Sequence, residues 1–314
     1  MTTSSIYEHI DLQRRDRRRK RINTIMLGLT GLTMLVAIVP LVWITVYVVI
    51  QGGRYIDLNL FTRLPAPMGT SGGGVLHAIE GTAVMVLLAS LIAIPVALLA
   101  AFYLLSRPNT ALAHGLRFST DMLAGIPSIV IGLFGYAVIV VTQKHFSAFA
   151  GSVVLAIIML PVVLRSAEEM LKLVPGEMRE GALALGSPEW LAALKVVLPA
   201  AAEGIITGVM LGIARAVGET APLLFTALGN DNYEIGQIVR NGIRYHQSPG
   251  QILGNIFSQP ADALPLTLWK YAQQPYQERV QMAWAVAFVL MVLALGLNIA
   301  ARLWLAYRRR KLYG

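Results

Sequence analysis

An all-α integral membrane protein with six transmembrane helices is the fold class this chain predicts, on three observations. The 314 residues are 56% apolar and 14% charged, with mean hydropathy +0.62, where a soluble chain holds about 25% charged residues. The apolar residues fall into charge-free windows of about 20, the length that crosses hydrocarbon. The basic residues gather at the ends of those windows. Only helices fit such windows, because backbone amides in lipid need partners within their own segment.

Residues 1–21 are a basic tail carrying RRDRRRKR at 14–21. The run reads as a cytoplasmic stop that orients the first helix, 22–50. A twin-arginine export signal does not fit, because the apolar stretch behind it is 29 residues against about 7–15 in a signal. Anionic lipid binding by this tail is a secondary reading. Residues 51–74 form an outer loop rich in glycine and proline, with SGGG at 71–74, and read as a flexible connector. Nothing places those glycines between a strand and a helix, as a phosphate loop requires. The core, 75–301, holds helices over 75–106, 119–143, 146–165, 201–229 and 280–305. A coupling loop (166–200) and a long outer loop (230–279) separate them, and a second basic tail follows at 306–314.

Orientation follows from lysine and arginine. With the amino terminus inside, 18 of the 26 fall on the inner face, 7 on the outer, and Arg215 lies mid-span. Six crossings return the carboxyl terminus inside, beside RRRK at 308–311. The net charge of +9 therefore belongs to membrane topology, not to nucleic-acid binding. No cysteine is present, and His9, His77, His114, His145 and His246 show no metal-ligand spacing. In the outer loop, ALPLTLWKYAQQPY at 263–276 reads as an interfacial amphipathic helix anchored by Trp269, Tyr271 and Tyr276, or as a dock for an outer partner.

The inner loop has a definite shape. Val174-Pro175-Gly176 ends the fourth helix. Glu177–Leu185 is rich in helix formers, Gly186 serves as a left-handed cap, and Ser187 with Pro188 starts a second short helix. Pro199 then turns the chain into the fifth span. The result is a helix–Gly–helix elbow on the inner face.

The fifth span carries Arg215 and Glu219 in an otherwise apolar stretch, where an ionised side chain costs about 3 kcal/mol on insertion scales. At about 1.5 Å per residue, Arg215 lies about 18 Å beyond Glu203, near mid-membrane. Gly204, Gly208, Gly212, Ala216 and Thr220 recur every fourth residue, a small-residue stripe suited to close helix packing. Arg215 and Glu219 flank that stripe by about 100°, beside a helix–helix seam, and a seam between two subunits is where a path would run. Pro222 cannot donate to Gly218, so a bend is expected there. The pair reads either as an ion pair that fixes packing or as an oxyanion site, with arginine's planar fork as donor and Glu219 as its counter-charge.

At the elbow the sequence resembles a family. Glu180-Gly181-Ala182, Gly186 and Leu198-Pro199 look like the EAA loop of ABC-importer permeases, with Gly181 where that pattern has alanine. RAVGETAPL, within 206–227, resembles the phosphate-import permeases of the PstA type. So do LAGIPSIVIGLFG at 123–135, HAIEGT at 77–82, PVVLRSAEEMLKLVP at 161–175 and ALPLTLW at 263–269. The resemblance implies the type I ABC importer permease fold in a bacterial inner membrane, with no cofactor and no metal. It implies a non-enzymatic subunit whose ATP is hydrolysed elsewhere: two ATPases of the PstB type, a second homologous permease of the PstC type and an outer phosphate-binding protein of the PstS type. No lysine follows a glycine, so the chain has no G-K-[ST] phosphate loop of its own. Permeases for sulfate or molybdate share the elbow, and an ion-coupled secondary anion transporter is the rival from another class. That rival needs no elbow and usually shows paired repeats with broken helices.

Overall fold

The computed structural model describes residues 3–70 and 72–313, with side chains for 18–70, 72–300, 302 and 303. Arg14, Arg15 and Arg17 of the first tail, Ser71 of the glycine run and the RRRK at 308–311 lie outside those side chains. The chain runs α1 (Thr3–Gly53), α2 (Leu58–Thr62), α3 (Leu76–Ser106), α4 (Ala111–Gly125), α5 (Ser128–Gln143) and α6 (Ala148–Lys172). It continues through α7 (Gly176–Ala184), α8 (Glu189–Val217), α9 (Ala221–Thr226), α10 (Ile235–Arg244), α11 (Pro249–Ser258), α12 (Leu264–Ala272) and α13 (Gln277–Tyr313). Five helices among the described residues are long and apolar enough to cross a membrane, and α4 with α5 makes a sixth if the bent pair is one span.

Helix α6 is the axis of the bundle, gripped on two sides by small residues. On α3, Ala89, Ala93, Ala97 and Ala101 recur every fourth position and are fully buried. They pack in order against Leu155 and Met159, then Val163 and Leu164, then Ala167 and Leu171 of α6. On α8 the glycine stripe faces the same helix. A Cβ added at Gly204 would collide with Met170, one at Gly208 with Ser166, and one at Gly212 would come within 2.8 Å of Val163. Ala216 joins the same core beside Met159. Without side chains in the way, backbones approach closely and dispersion contacts accumulate. The stripe's seam is therefore internal to this chain, which corrects its expected place between two subunits.

Three further expectations change. The third span is not one helix over 119–143: it breaks at Ile126-Pro127 with a bend of 103°. Ile126 is extended (φ −75°, ψ 130°), as the residue before a proline tends to be. The described residues of the loop at 54–74 make defined contacts, where a flexible connector was expected. Asp57 caps α2 through the Leu60 amide at 2.8 Å, and Val75 N–H donates to Leu60 O at 2.8 Å. Pro65 bridges Gly73, and Gly69, Gly72 and Gly73 take positive φ. Those glycines shape a turn instead of loosening a tether. Finally, Pro199 does not turn the chain, because α8 runs from Glu189 straight through it. A wide turn over Ala193–Val197, closed by Leu198 N–H to Ala193 O, ends just before the ring that would press on the preceding turn.

Gly208→Leu should destabilise the chain by about 1–3 kcal/mol through overpacking against Ser166. Gly181→Ala, whose Cβ meets open space, should not. Tryptophan-fluorescence melting of the two variants in one detergent checks this, and equal melting temperatures would remove the stripe's packing role.

Candidate functional site at a broken helix

Arg215 stands in the last turn of α8, and Glu219 lies past its end. Gly218 N–H donates to Arg215 O at 3.1 Å and Glu219 N–H to Ala216 O at 3.3 Å, closing the helix in tight turns. Thr220 then opens α9, accepting from Leu223 and Leu224. Pro222 sits in the first turn of α9, where a missing N–H is harmless. The expected bend is thus a full break at 218–220, displaced upstream because the carbonyl that proline cannot satisfy is that of Gly218.

Arg215 Nε lies 3.7 Å from Glu219 Oε1, an ion-pair separation too long for a hydrogen bond. Glu219 is mostly shielded (15% exposed), whereas 42% of the Arg215 side chain is exposed on this chain. The guanidinium is therefore not sealed in the bundle, and its donors are mostly uncommitted. The second broken helix meets the first at this point. A Cβ at Gly132 of α5 would strike the backbone of Pro222, so α5 lies directly on α9. At the inner end Arg117 reaches Glu168 at 2.9 Å, Lys172 reaches it at 2.7 Å, and Arg165 pairs with Asp121. The Arg117–Glu168 and Arg165–Asp121 pairs tie α4 to α6, Lys172 joins Glu168 within α6, and the sequence patterns above did not single them out.

The elbow forms largely as its residues require. Gly186 has φ +85°, with Gly186 N–H bonded to Leu183 O and Ser187 N–H to Ala182 O, a Schellman-type end. Pro188, not Ser187, occupies the cap position of the next helix, and no side chain caps it. Arg179 pairs with Glu189 across the turn at 3.2 Å. Glu180 and Gly181 are exposed and Ala182 is buried. Leu198 and Pro199 lie within α8, so the elbow's second limb is continuous with the charged span. Leu185 (89% exposed) and Trp190 (67%) flank the glycine. Neither stood out in the sequence, since an isolated Leu or Trp in a helical stretch carries no sign of exposure.

A third site joins the start of α3 to the 230–279 loop, a meeting that sequence reasoning did not find although it had singled out 77–82 and 263–276. His77 and Asp262 are fully buried. Lys270 Nζ contacts Asp231 Oδ1 at 2.8 Å and also Asp262. His77 Nε2 lies 3.4 Å from Asp262 and 3.9 Å from Asp231, and neither ring nitrogen is satisfied. Three acidic or imidazole groups thus lie at metal-like spacing, although the cation they face is the lysine ammonium. Burial opposes the charge of Asp262, yet the neighbouring His77 ring and Lys270 ammonium hold its carboxyl below the ordinary range. Burial likewise opposes Lys270, and the two carboxylates hold its ammonium above its ordinary value. Tyr271, expected at the interface, is fully buried under Arg279, 4.6 Å from its ring, whereas Trp269 and Tyr276 are exposed.

A polytopic helical bundle with a charged break in one span and an inner-face elbow is the architecture of a transport permease subunit. The family model described as binding-protein-dependent transport system inner membrane component matches residues 93–310. The chain is 38% identical over 292 residues to the phosphate transport system permease protein PstA of Yersinia pestis, covering 93% of this chain and 92% of the relative. It is 40% identical over 289 residues to PstA of Xylella fastidiosa (91% and 93%), and 34% identical over 304 to PstA 1 of Mycobacterium tuberculosis (94% and 92%). The inward-facing MetNI methionine ABC transporter shares the fold, at TM-score 0.52 and 18% identity over 73% of this chain and 92% of that one. The chain belongs to the inner-membrane components of binding-protein-dependent transport systems and, within them, to the PstA permeases. Two helices are broken, as a secondary transporter would show, but the family and fold place the chain among ABC importers.

The pH behaviour of the outer cluster follows from its two shifts. Asp262, held low, contributes stability that is present above its unfolded-state value and lost as pH falls through the folded one. Lys270, held high, contributes stability that is present below its unfolded-state value and lost as pH rises through the folded one. Amide exchange over 262–272, corrected for intrinsic rates, should stay flat between those limits and rise only at the acid and alkaline extremes. A steep rise near neutrality would contradict the pairing.

Proposed function

We propose that this chain is one half of the membrane path of an ATP-driven phosphate importer. It would take the anion from an outer phosphate-binding protein and pass it inward by alternating access. The supporting observation is Arg215, part-exposed at a break in an intramembrane helix, held loosely by Glu219. A guanidinium stays charged and offers a planar fork of donors to a tetrahedral oxyanion. Glu219 holds it between passages and accepts from the proton-bearing oxygen of hydrogen phosphate, which sulfate lacks. Thr220, at the first position after the break, adds a hydroxyl beside the pair.

The exposed face of Arg215 points away from the α6 seam, so a second, homologous permease would complete the conduit. The stripe (Gly204, Gly208, Gly212, Ala216) then serves to hold α8 rigid against α6. ATP hydrolysis takes place on two separate ATPase subunits. The elbow docks on them through its exposed Leu185 and Trp190, with Glu180-Gly181-Ala182 forming the first limb, Gly186 the turn, and Leu198-Pro199 the junction to the charged span. Both termini lie in the cytoplasm on the charge asymmetry of the loops.

Arg215→Gln should abolish uptake of labelled phosphate, a loss of at least about 100-fold for a charged donor, while the complex still assembles and hydrolyses ATP. Normal uptake would remove the assignment. Excess sulfate should leave uptake by the unaltered chain unchanged. Gly186→Val forces a β-branched residue to φ +85° and should uncouple ATP hydrolysis from uptake without loss of the membrane core.

A further inference from the structure

The outer cluster lies in no part of the proposed anion path, yet it holds the fully buried His77 and Asp262. One short motif at the start of α3, HAIEGT at 77–82, grips the outer segment at four points. His77 faces Asp231 and Asp262. Glu80 accepts from Ile235 N–H at 2.7 Å, at the start of α10. Gly81 leaves room for the Asp262 carbonyl, which any Cβ would strike. Thr82 accepts from Leu264 N–H at 2.9 Å, at the start of α12. Between these points the α10–α11 hairpin stands outward, with Ile243, Tyr245 and Leu253 exposed. It is also held by Ala148 N–H to Gln259 O at 2.8 Å, by the Tyr233 hydroxyl donating to Ile256 O at 3.1 Å, and by Ile238 and Ile256 packed on the core.

The charges of the cluster do not balance without Lys270. Asp231 and Asp262 share its ammonium. Tyr271 faces both carboxylates and lies under Arg279 of α13, while Glu80 sits beside Tyr233. Asp262 is closed off, whereas Lys270 (24% exposed) and Asp231 (41%) reach toward solvent, so removing the cation leaves the buried Asp262 carboxylate without its lysine partner, which is more damaging than losing a surface pair.

We propose that Lys270, acting through Asp231 and Asp262, is the positioning residue of the outer hairpin. Its ammonium neutralises a carboxylate pair held against α3, so that α10–α11 and α3 move as one body during transport. The contribution is electrostatic: the site needs a positive charge, and a proton can stand in for the ammonium.

The test uses the assembled transporter in lipid nanodiscs. Lys270→Met should speed amide exchange over 235–258 about 10-fold at about pH 7.5, less than breaking a fully buried pair because Lys270 and Asp231 are partly exposed, and should slow phosphate uptake. Lowering the pH to about 5.5, where a histidine or a destabilised carboxylate takes up a proton, should restore both, with exchange referred to the intrinsic rate at each pH. Asp231→Asn combined with Lys270→Met removes one carboxylate with the ammonium and should restore both readouts at neutral pH. If the Lys270→Met hairpin exchanges like that of the unaltered chain, the proposal fails. It also fails if the defect persists in acid and in the double variant, because Lys270 would then act through the packing of its stem alone. Failure of the Arg215 assignment would leave the exchange result standing, so the two readings are separable.

Discussion

Close backbone approach on both flanks of α6 is the interaction on which the rest of the structure depends. Lipid offers no hydrophobic drive for helices to associate, so packing and shape must hold the bundle. The alanines of α3 and the glycines of α8 supply that shape. They leave α6 the most enclosed of the spanning helices, and they fix the angular position of everything else on α8. Because the stripe faces α6, Arg215 must project elsewhere. The location of the guanidinium is thus a consequence of where the glycines point.

The two breaks are the counterpart of that rigidity. Interrupted backbone at membrane depth leaves amides and carbonyls that must find partners or line a polar space. Here the breaks at 126–127 and 218–220 belong to helices that touch through Gly132 and Pro222. Proline supplies the interruption in each, and glycine supplies the close contact. The elbow continues into this region along α8, since Glu189–Val217 is one helix with a wide turn at Ala193–Val197. The fold therefore links an inner-face surface to the charged break through one continuous element and a packed seam.

Electrostatics divide between the two faces of the membrane. On the inner side the pairs of Arg117, Arg165 and Lys172 are partly open to solvent, where such pairs contribute little individually. At the other end Asp262 is closed off, with the Lys270 ammonium in contact. The exposed tip of the outer hairpin and the buried cluster at its base are a division of labour: one presents a surface and the other sets where that surface stands.

Hydrophobic windows and charge asymmetry determined the class of the protein from sequence alone, because burial in lipid is a property of each span by itself. Local backbone chemistry determined the elbow for the same reason: Gly186 takes the left-handed cap that only a residue without Cβ adopts easily. The Arg215–Glu219 pair was legible as a charge anomaly. What tertiary structure decided were the relations between segments distant in the chain. Gly208 could be seen to pack, but not that its partner is Ser166. His77 gave no sign of Asp262, because 185 positions separate them and no local periodicity encodes such a meeting. Pro199 was legible as a breaker, yet a wide turn absorbed it. Pairing across the fold depends on which helices lie side by side, and that is settled by packing, not by any one stretch of residues.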